Sequence, residues 1–114
     1  LAKKIAEEQL KLKKKIKIFI QINVGNESQK SGIDPNNIGN FLNYCKSLNL
    51  NVIGLMCIPP ESTDSKVFFE QMKELAKKYN QNELSMGMSS DYLKAAQLDS
   101  TFIRIGSSIF GQRI

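Results

Sequence analysis

Stretches of period-two hydrophobicity alternate with stretches of helical period along the 114 residues, four of each. Leu1 to about Lys14 reads as a helix with Leu1, Ile5 and Leu12 on one stripe. Ile16 to Val24 reads as a strand: Ile16, Ile18, Ile20, Ile22 and Val24 share one face, Lys17, Phe19, Gln21 and Asn23 the other. Asp34-Pro35 supplies an N-cap and a proline at the first helical position. Ile38, Phe41, Leu42 and Cys45 then recur at helical spacing to about Ser47. Asn51 to Ile58 is apolar on both faces, as a buried parallel strand is, and Pro59-Pro60 ends it. A third helix starts at Ser62 to Asp64 and runs to about Tyr79. A third strand covers Leu84 to Met88, and Ser89 to Asp91 cap a short helix carrying Leu93, Ala96 and Leu98. A fourth strand covers Phe102 to Ile105. The connections are long enough for right-handed crossovers, so the strands are parallel. The order αβαβαβαβ fits half of an eight-stranded barrel or a small doubly wound sheet. Periodicity alone does not separate the two.

Parallel α/β proteins place their sites beyond the C-terminal ends of their strands. The fourth strand stops at Gly106, and Ser107 and Ser108 follow. A glycine followed by hydroxyls and a helical turn offers free backbone N–H groups and short donors, the chemistry of a phosphate cradle. Arg104 adds a fixed positive charge on the strand face that Gly106 shares. The third strand also ends in small residues, with Ser85, Gly87 and Ser89 on one face. Gln21 and Asn23 make the inner face of the first strand polar toward its end. Each of these patterns also suits an ordinary buried strand and turn. Lys30, in the loop Gly25 to Gly32, is the lysine nearest a strand's C-terminal end; it suits a phosphate, an aldehyde or plain solvent.

Several function classes drop out. Histidine is absent, which removes His-based general bases, Ser-His-Asp triads and the commonest metal ligand. Cys45 and Cys57 have no metal-ligand spacing and read as small core residues in a reducing, cytoplasmic compartment. The net charge of +5 is concentrated in Lys11 to Lys17, so it does not define a nucleic-acid surface. No apolar run approaches the ~20 residues of a membrane span. No dinucleotide fingerprint or Walker-type loop is present.

The strings IFIQINVGNESQKSGI, NVIGLMCIPP, ELSMGMSSD and STFIRIGSSIFGQR resemble the YggS/PROSC family of pyridoxal phosphate homeostasis proteins, relatives of the N-terminal barrel domain of alanine racemases. The resemblance implies an α/β chain of fold type III, a (β/α)8 TIM barrel that holds pyridoxal 5′-phosphate (PLP). By it, residues 1–114 form a single partial domain, the C-terminal half of the barrel from its fourth helix to its eighth strand. Four parallel strands with helices then make an incomplete barrel. Ser85, Met88 and Ser89 are implied to line the cofactor from the seventh strand. Gly106 and Ser107 are implied to bind its phosphate from the eighth, with Ser107 where the family usually has threonine and Ser108 where it has alanine. Arg104 is implied to face the pyridine nitrogen. No catalytic residue and no metal ligand is carried over.

The Schiff-base lysine of this family lies on the first barrel strand, which this sequence lacks. The chain begins in mid-helix at Leu1 and is expected to be a fragment, with the phosphate cup but no covalent anchor. Its open barrel edges invite self-association. The implied function is PLP carriage in intracellular PLP homeostasis, with apo PLP-dependent enzymes as possible partners and no role for nucleic acid or membrane. The alternative is a PLP-dependent enzyme such as an amino-acid racemase. That would need a second acid/base, and Tyr44, Tyr79 and Tyr92 all fall on helices.

Overall fold

The computed structural model describes residues 1–26, 31–60 and 64–110. Lys30, Ser62 and Arg113 therefore lie outside the described residues. Helix α1 (Ala2–Leu12) leads into strand β1 (Lys17–Gln21). A 3-10 turn over Pro35–Asn37 opens helix α2 (Ile38–Ser47), which is followed by strand β2 (Asn51–Met56). Helix α3 (Ser65–Lys78), strand β3 (Glu83–Ser85), helix α4 (Tyr92–Gln97) and the short turn of helix α5 (Ser107–Phe110) complete the order. The strands form one parallel sheet in the order β1-β2-β3.

The cap read from the sequence at Asp34 acts as expected, and Asp64, read only as part of a helix start, proves to cap as well. The Asp34 carboxylate accepts the Asn36 N–H at 2.8 Å, and the Asp64 carboxylate accepts the Lys66 N–H at 3.1 Å. The helix ends share a device the hydrophobic pattern did not reveal. Each of α1 to α4 is followed by a non-glycine residue with a left-handed backbone: Lys13 (φ 53°), Asn49 (φ 58°), Asn80 (φ 58°) and Asp99 (φ 71°). The next N–H in each case closes back onto a carbonyl five residues earlier. These bonds are Lys14 to Gln9 at 3.2 Å, Leu50 to Cys45 at 3.0 Å, Gln81 to Ala76 at 2.8 Å and Ser100 to Ala95 at 3.0 Å. This is the Schellman closure, which satisfies carbonyls that a helix end otherwise leaves open.

The alternation expected over Ile16 to Val24 holds toward the C-terminal end, whereas Ile16 lies before the strand and is 49% exposed and Ile18 is half-buried. Ile20, Ile22 and Val24 are buried against the helices, while Phe19 and Gln21 on the other face are half-buried and Lys17 is exposed. The core lies between sheet and helices. Leu55, Leu84 and Met86 meet Ile38 and Cys45 of α2, Phe69 and Met72 of α3, and Ala95 of α4 in one cluster. The pairing register skips between Ile18 and Phe19, which face Val52 and Gly54. Gly54 sits so close to Glu83 that any Cβ there would collide with its backbone carbonyl.

The fourth strand is not a regular strand. Phe102 makes one isolated parallel bridge to Ser85, and the pairing then slips. The Arg104 N–H donates to the Gly87 carbonyl at 2.9 Å. Gly87 has φ +103°, a conformation that turns the β3 chain out of its ladder. Side-chain hydroxyls also compete for ladder partners. Ser100 Oγ donates to the carbonyls of Met86 at 2.6 Å and Phe102 at 3.0 Å, and Thr101 Oγ1 accepts the Leu84 N–H at 2.9 Å. Among the described residues the sheet thus has three regular strands rather than the expected four, with Phe102 docked along its β3 edge. It curls enough for Phe19 of β1 to touch Phe102.

Candidate functional site

The C-terminal ends of the three strands and the segment after Phe102 lie at one rim, and Arg104 ties that segment to the ends of β2 and β3. Its Nη2 donates to the Cys57 carbonyl at 2.9 Å and its Nη1 to Ser85 Oγ at 3.3 Å. The Cys57 N–H donates to the Ser85 carbonyl at 3.2 Å. The guanidinium therefore lies across the ends of β2 and β3, turned to the sheet and not to the helical shell. Its Nε is buried without a hydrogen-bond partner among the described residues.

Ser85 is 8% exposed, so the Arg104 contact is made in a largely water-excluded place. Strand register carries the same level across the sheet, from Ser85 to Met56 and from Met56 to Gln21. Burial pushes the Cys57 thiol up to about 12, outweighing the opposite pull of the Arg104 guanidinium; Asp91 pushes the same way as burial. Cys57 is thus a neutral, inert thiol whose carbonyl, not its sulfur, faces the chemistry.

Met88 and Ser89 lie in the turn that carries β3 into α4. The Met88 side of that turn is exposed, and its N–H donates to Asp91 Oδ1 at 2.8 Å while the Asp91 N–H returns to the Met88 carbonyl at 3.1 Å. Asp91 had the look of a helix cap, but its carboxylate folds back on Met88 and makes no cap bond to α4. Gly106 and Ser107 follow Arg104 and are exposed. Among the described residues, a Cβ at Gly106 would meet nothing within 4 Å. Of the six residues singled out from the sequence, the structure joins Ser85 and Arg104 directly. Met88, Ser89, Gly106 and Ser107 stand on the turns that leave the same rim.

The residue that sequence reasoning missed here is Cys57. A backbone acceptor has no signature in the side-chain alphabet, and the cysteine read only as core. Two cavities lie away from this rim. One of about 520 Å³ is at the opposite rim, lined among others by Lys46, Asn51, Tyr79 and Gln81; one of about 430 Å³ flanks α2 beside Phe41 and Tyr44. Among the described residues no group of three acidic, cysteine or histidine side chains could hold a metal ion, and no helix is long and apolar enough to cross a membrane.

A parallel α/β unit with its polar constellation at the C-terminal rim suits a barrel or a doubly wound sheet, and the matches that follow make it a fold of the TIM-barrel type. The family model for the alanine racemase N-terminal domain matches residues 1–114, and the chain belongs to that family. Curated relatives include the pyridoxal phosphate homeostasis proteins of Aquifex aeolicus, 38% identical over 84% of this chain and 46% of the relative, and of Homo sapiens, 36% identical over 87% of this chain and 41% of the relative. PipY of Synechococcus elongatus superposes with a TM-score of 0.85 without PLP, at 29% identity, over 96% of this chain and 56% of that one. Its PLP-bound structure gives a TM-score of 0.77 at 30% identity, over 96% and 54%. The chain spans about half the length of the curated relatives it matches.

Proposed function

We propose that this chain is the cofactor-cradling half of a protein of PLP homeostasis. Residues 1–114 then run from the fourth helix to the eighth strand of a (β/α)8 barrel, in the cytoplasm, and apo PLP-dependent enzymes are the receivers of the cofactor. The names of the relatives and the PLP-bound PipY support this reading. The observation that carries it is Arg104, a buried-side guanidinium held at the C-terminal rim by a hydroxyl and a carbonyl.

The residues fit PLP on two counts. Arg104 keeps unused donor capacity, since among the described residues only Nη1 and Nη2 of its guanidinium have acceptors and Nε has none. A buried donor without an acceptor costs about 1–3 kcal/mol, which an acceptor atom on a ligand offsets once neighbouring groups shift. The open space over Gly106 also leaves room for a phosphate to approach the backbone, beside the N–H groups that Ser107 and its neighbours present. In this reading Gly106 and Ser107 bind the phosphate, Met88 and Ser89 form the facing wall, and Ser85 belongs to the site as the residue behind Arg104.

PLP, when bound, supplies an aldehyde and an electron-withdrawing pyridine ring. A guanidinium carries a positive charge and opposes protonation of a ring nitrogen set beside it. The arginine thereby weakens the ring as an electron sink, which favours carriage over turnover. The racemase reading finds no comparable support. Tyr44 packs against Phe41 on the flank of α2, ring centroids 6.2 Å apart, rather than at the rim. Ile33 bonds the outer edge of β1 at Gln21 and Asn23, but among the described residues no strand pairs with that edge before Gln21, which supports a further element of the proposal, self-association of the isolated chain.

Equilibrium dialysis of the chain against PLP tests the function. Retention of PLP that drops about tenfold in Arg104→Ala, the value of one hydrogen bond to a charged group, is the expected result. Equal retention by both proteins would remove Arg104 from the site, and no retention even at millimolar PLP would remove the site from this chain.

A further inference from the structure

Ser85 and Arg104 make one unit, and the direction of their contact decides what each does. Arg104 is tied at three points: its backbone N–H to Gly87, its Nη2 to the Cys57 carbonyl and its Nη1 to Ser85 Oγ. Cys57 and Ser85 are tied to each other by the Cys57 N–H. The result is a closed loop of hydrogen bonds through the ends of β2, β3 and the Phe102 segment. Both side-chain anchors are neutral. Among the described residues no carboxylate pairs with Arg104, so its charge is oriented without being cancelled.

The alternative role for Ser85 is direct contact with a ligand. Burial speaks against it. Ser85 keeps 8% of its surface, and its oxygen already serves the guanidinium in front of it. Met88, by contrast, is 44% exposed on the same turn and is free to meet a bound molecule. A planar guanidinium needs two acceptors in fixed places to hold its orientation. The Cys57 carbonyl is one and Ser85 Oγ is the other.

We propose that Ser85 is a positioning residue: with the Cys57 carbonyl it fixes the plane of the Arg104 guanidinium at the rim, and it acts on a ligand only through Arg104. In its consequence for PLP this rests on the function proposed above; in its geometry it does not.

Two measurements separate the cases. The first needs no ligand. Nitrogen-15 NMR of the chain should give distinct, slowly exchanging Nη signals for Arg104, because the guanidinium is held at both ends. In Ser85→Ala these should merge into a rotationally averaged signal, and Ser85→Thr, which keeps the hydroxyl, should restore them. Identical Arg104 signals in the wild type and Ser85→Ala would overturn the proposal, whatever the chain binds. The second is a double-mutant comparison of PLP retention. Ser85→Ala should weaken retention about tenfold when Arg104 is present and should add nothing in the Arg104→Ala background. An equal loss in both backgrounds would make Ser85 a direct contact and overturn the positioning role. Failure of the wild type to retain PLP would sink the proposed function and leave the NMR result to judge Ser85.

Discussion

The Phe19 and Phe102 rings meet edge to face, centroids 5.2 Å apart and planes at 75°, although β2 and β3 run between their backbones. Three strand spacings in a flat sheet amount to about 14 Å. The rings can touch only because the sheet curls around its inner face, as the wall of a barrel does. The pair closes the hollow of that curve just below the level of Arg104.

Phe19 and Phe102 should therefore be coupled energetically. The double-mutant cycle of Phe19→Ala and Phe102→Ala in urea should give an interaction of about 1 kcal/mol. Phe102→Ala alone should cost less than the roughly 3–5 kcal/mol of a fully buried phenylalanine, because Phe102 stays 47% exposed. Strict additivity would mean that the curl does not bring the rings together in solution.

Two glycines of the rim should separate stability from binding. Gly87 has φ +103° and a Cβ there would lie 2.7 Å from the Ala95 Cβ. Gly87→Ala should destabilise by about 2 kcal/mol or more. Gly106→Ala meets no neighbour among the described residues and should stay within about 0.5 kcal/mol of wild type, yet it should reduce PLP retention by filling the phosphate's place. The reverse order of stability in thermal melts would contradict the backbone described here.

Alkaline pH should weaken the fold through Cys57. Its thiol is pushed up to about 12 in the fold from an ordinary 9.0. Below the ordinary value both states hold the proton and the contribution is complete. Between the two values the unfolded chain has released a proton that the fold retains, so stability falls by up to about 1.4 kcal/mol per pH unit. Cys57→Ala should flatten this part of the profile relative to wild type. Parallel profiles for the two proteins between pH 8 and about 11 would show that the thiol ionises freely in the fold.

Much of this was legible in the letters. The isoleucines of β1 announced a buried face, and Asp34-Pro35 and Asp64 announced helix starts. Arg104 was expected on the face it occupies, because alternation puts it with Phe102 and Gly106. The fourth strand was overread for a physical reason. Period-two hydrophobicity in FIRI reports which side chains are apolar, not whether the partner strand continues, and Gly87 and Ser100 interrupt that partner. Cys57 as an anchor was invisible because the acceptor is main chain. The Asx residues after the helices carried a readable hint in Asn49, Asn80 and Asp99, but nothing in Lys13 distinguishes it from its lysine neighbours.

That last position gives a sharp expectation. A lysine in the left-handed region carries a penalty of roughly 1–2 kcal/mol that glycine avoids. Lys13→Gly should thus raise the melting temperature, and more than Asn80→Gly does, since asparagine tolerates the conformation better. A lower melting temperature for Lys13→Gly would show that the turn after α1 is not held as described.

The recurrence of one helix-ending turn has a wider meaning. Because α1 to α4 are released in the same way, the chain enters the next strand or the Phe102 segment through the same backbone turn each time. Loops at the far end can lengthen, shorten or exchange residues without disturbing that entry. Binding chemistry is thus rebuilt at one end of the unit while the other serves as its fixed footing.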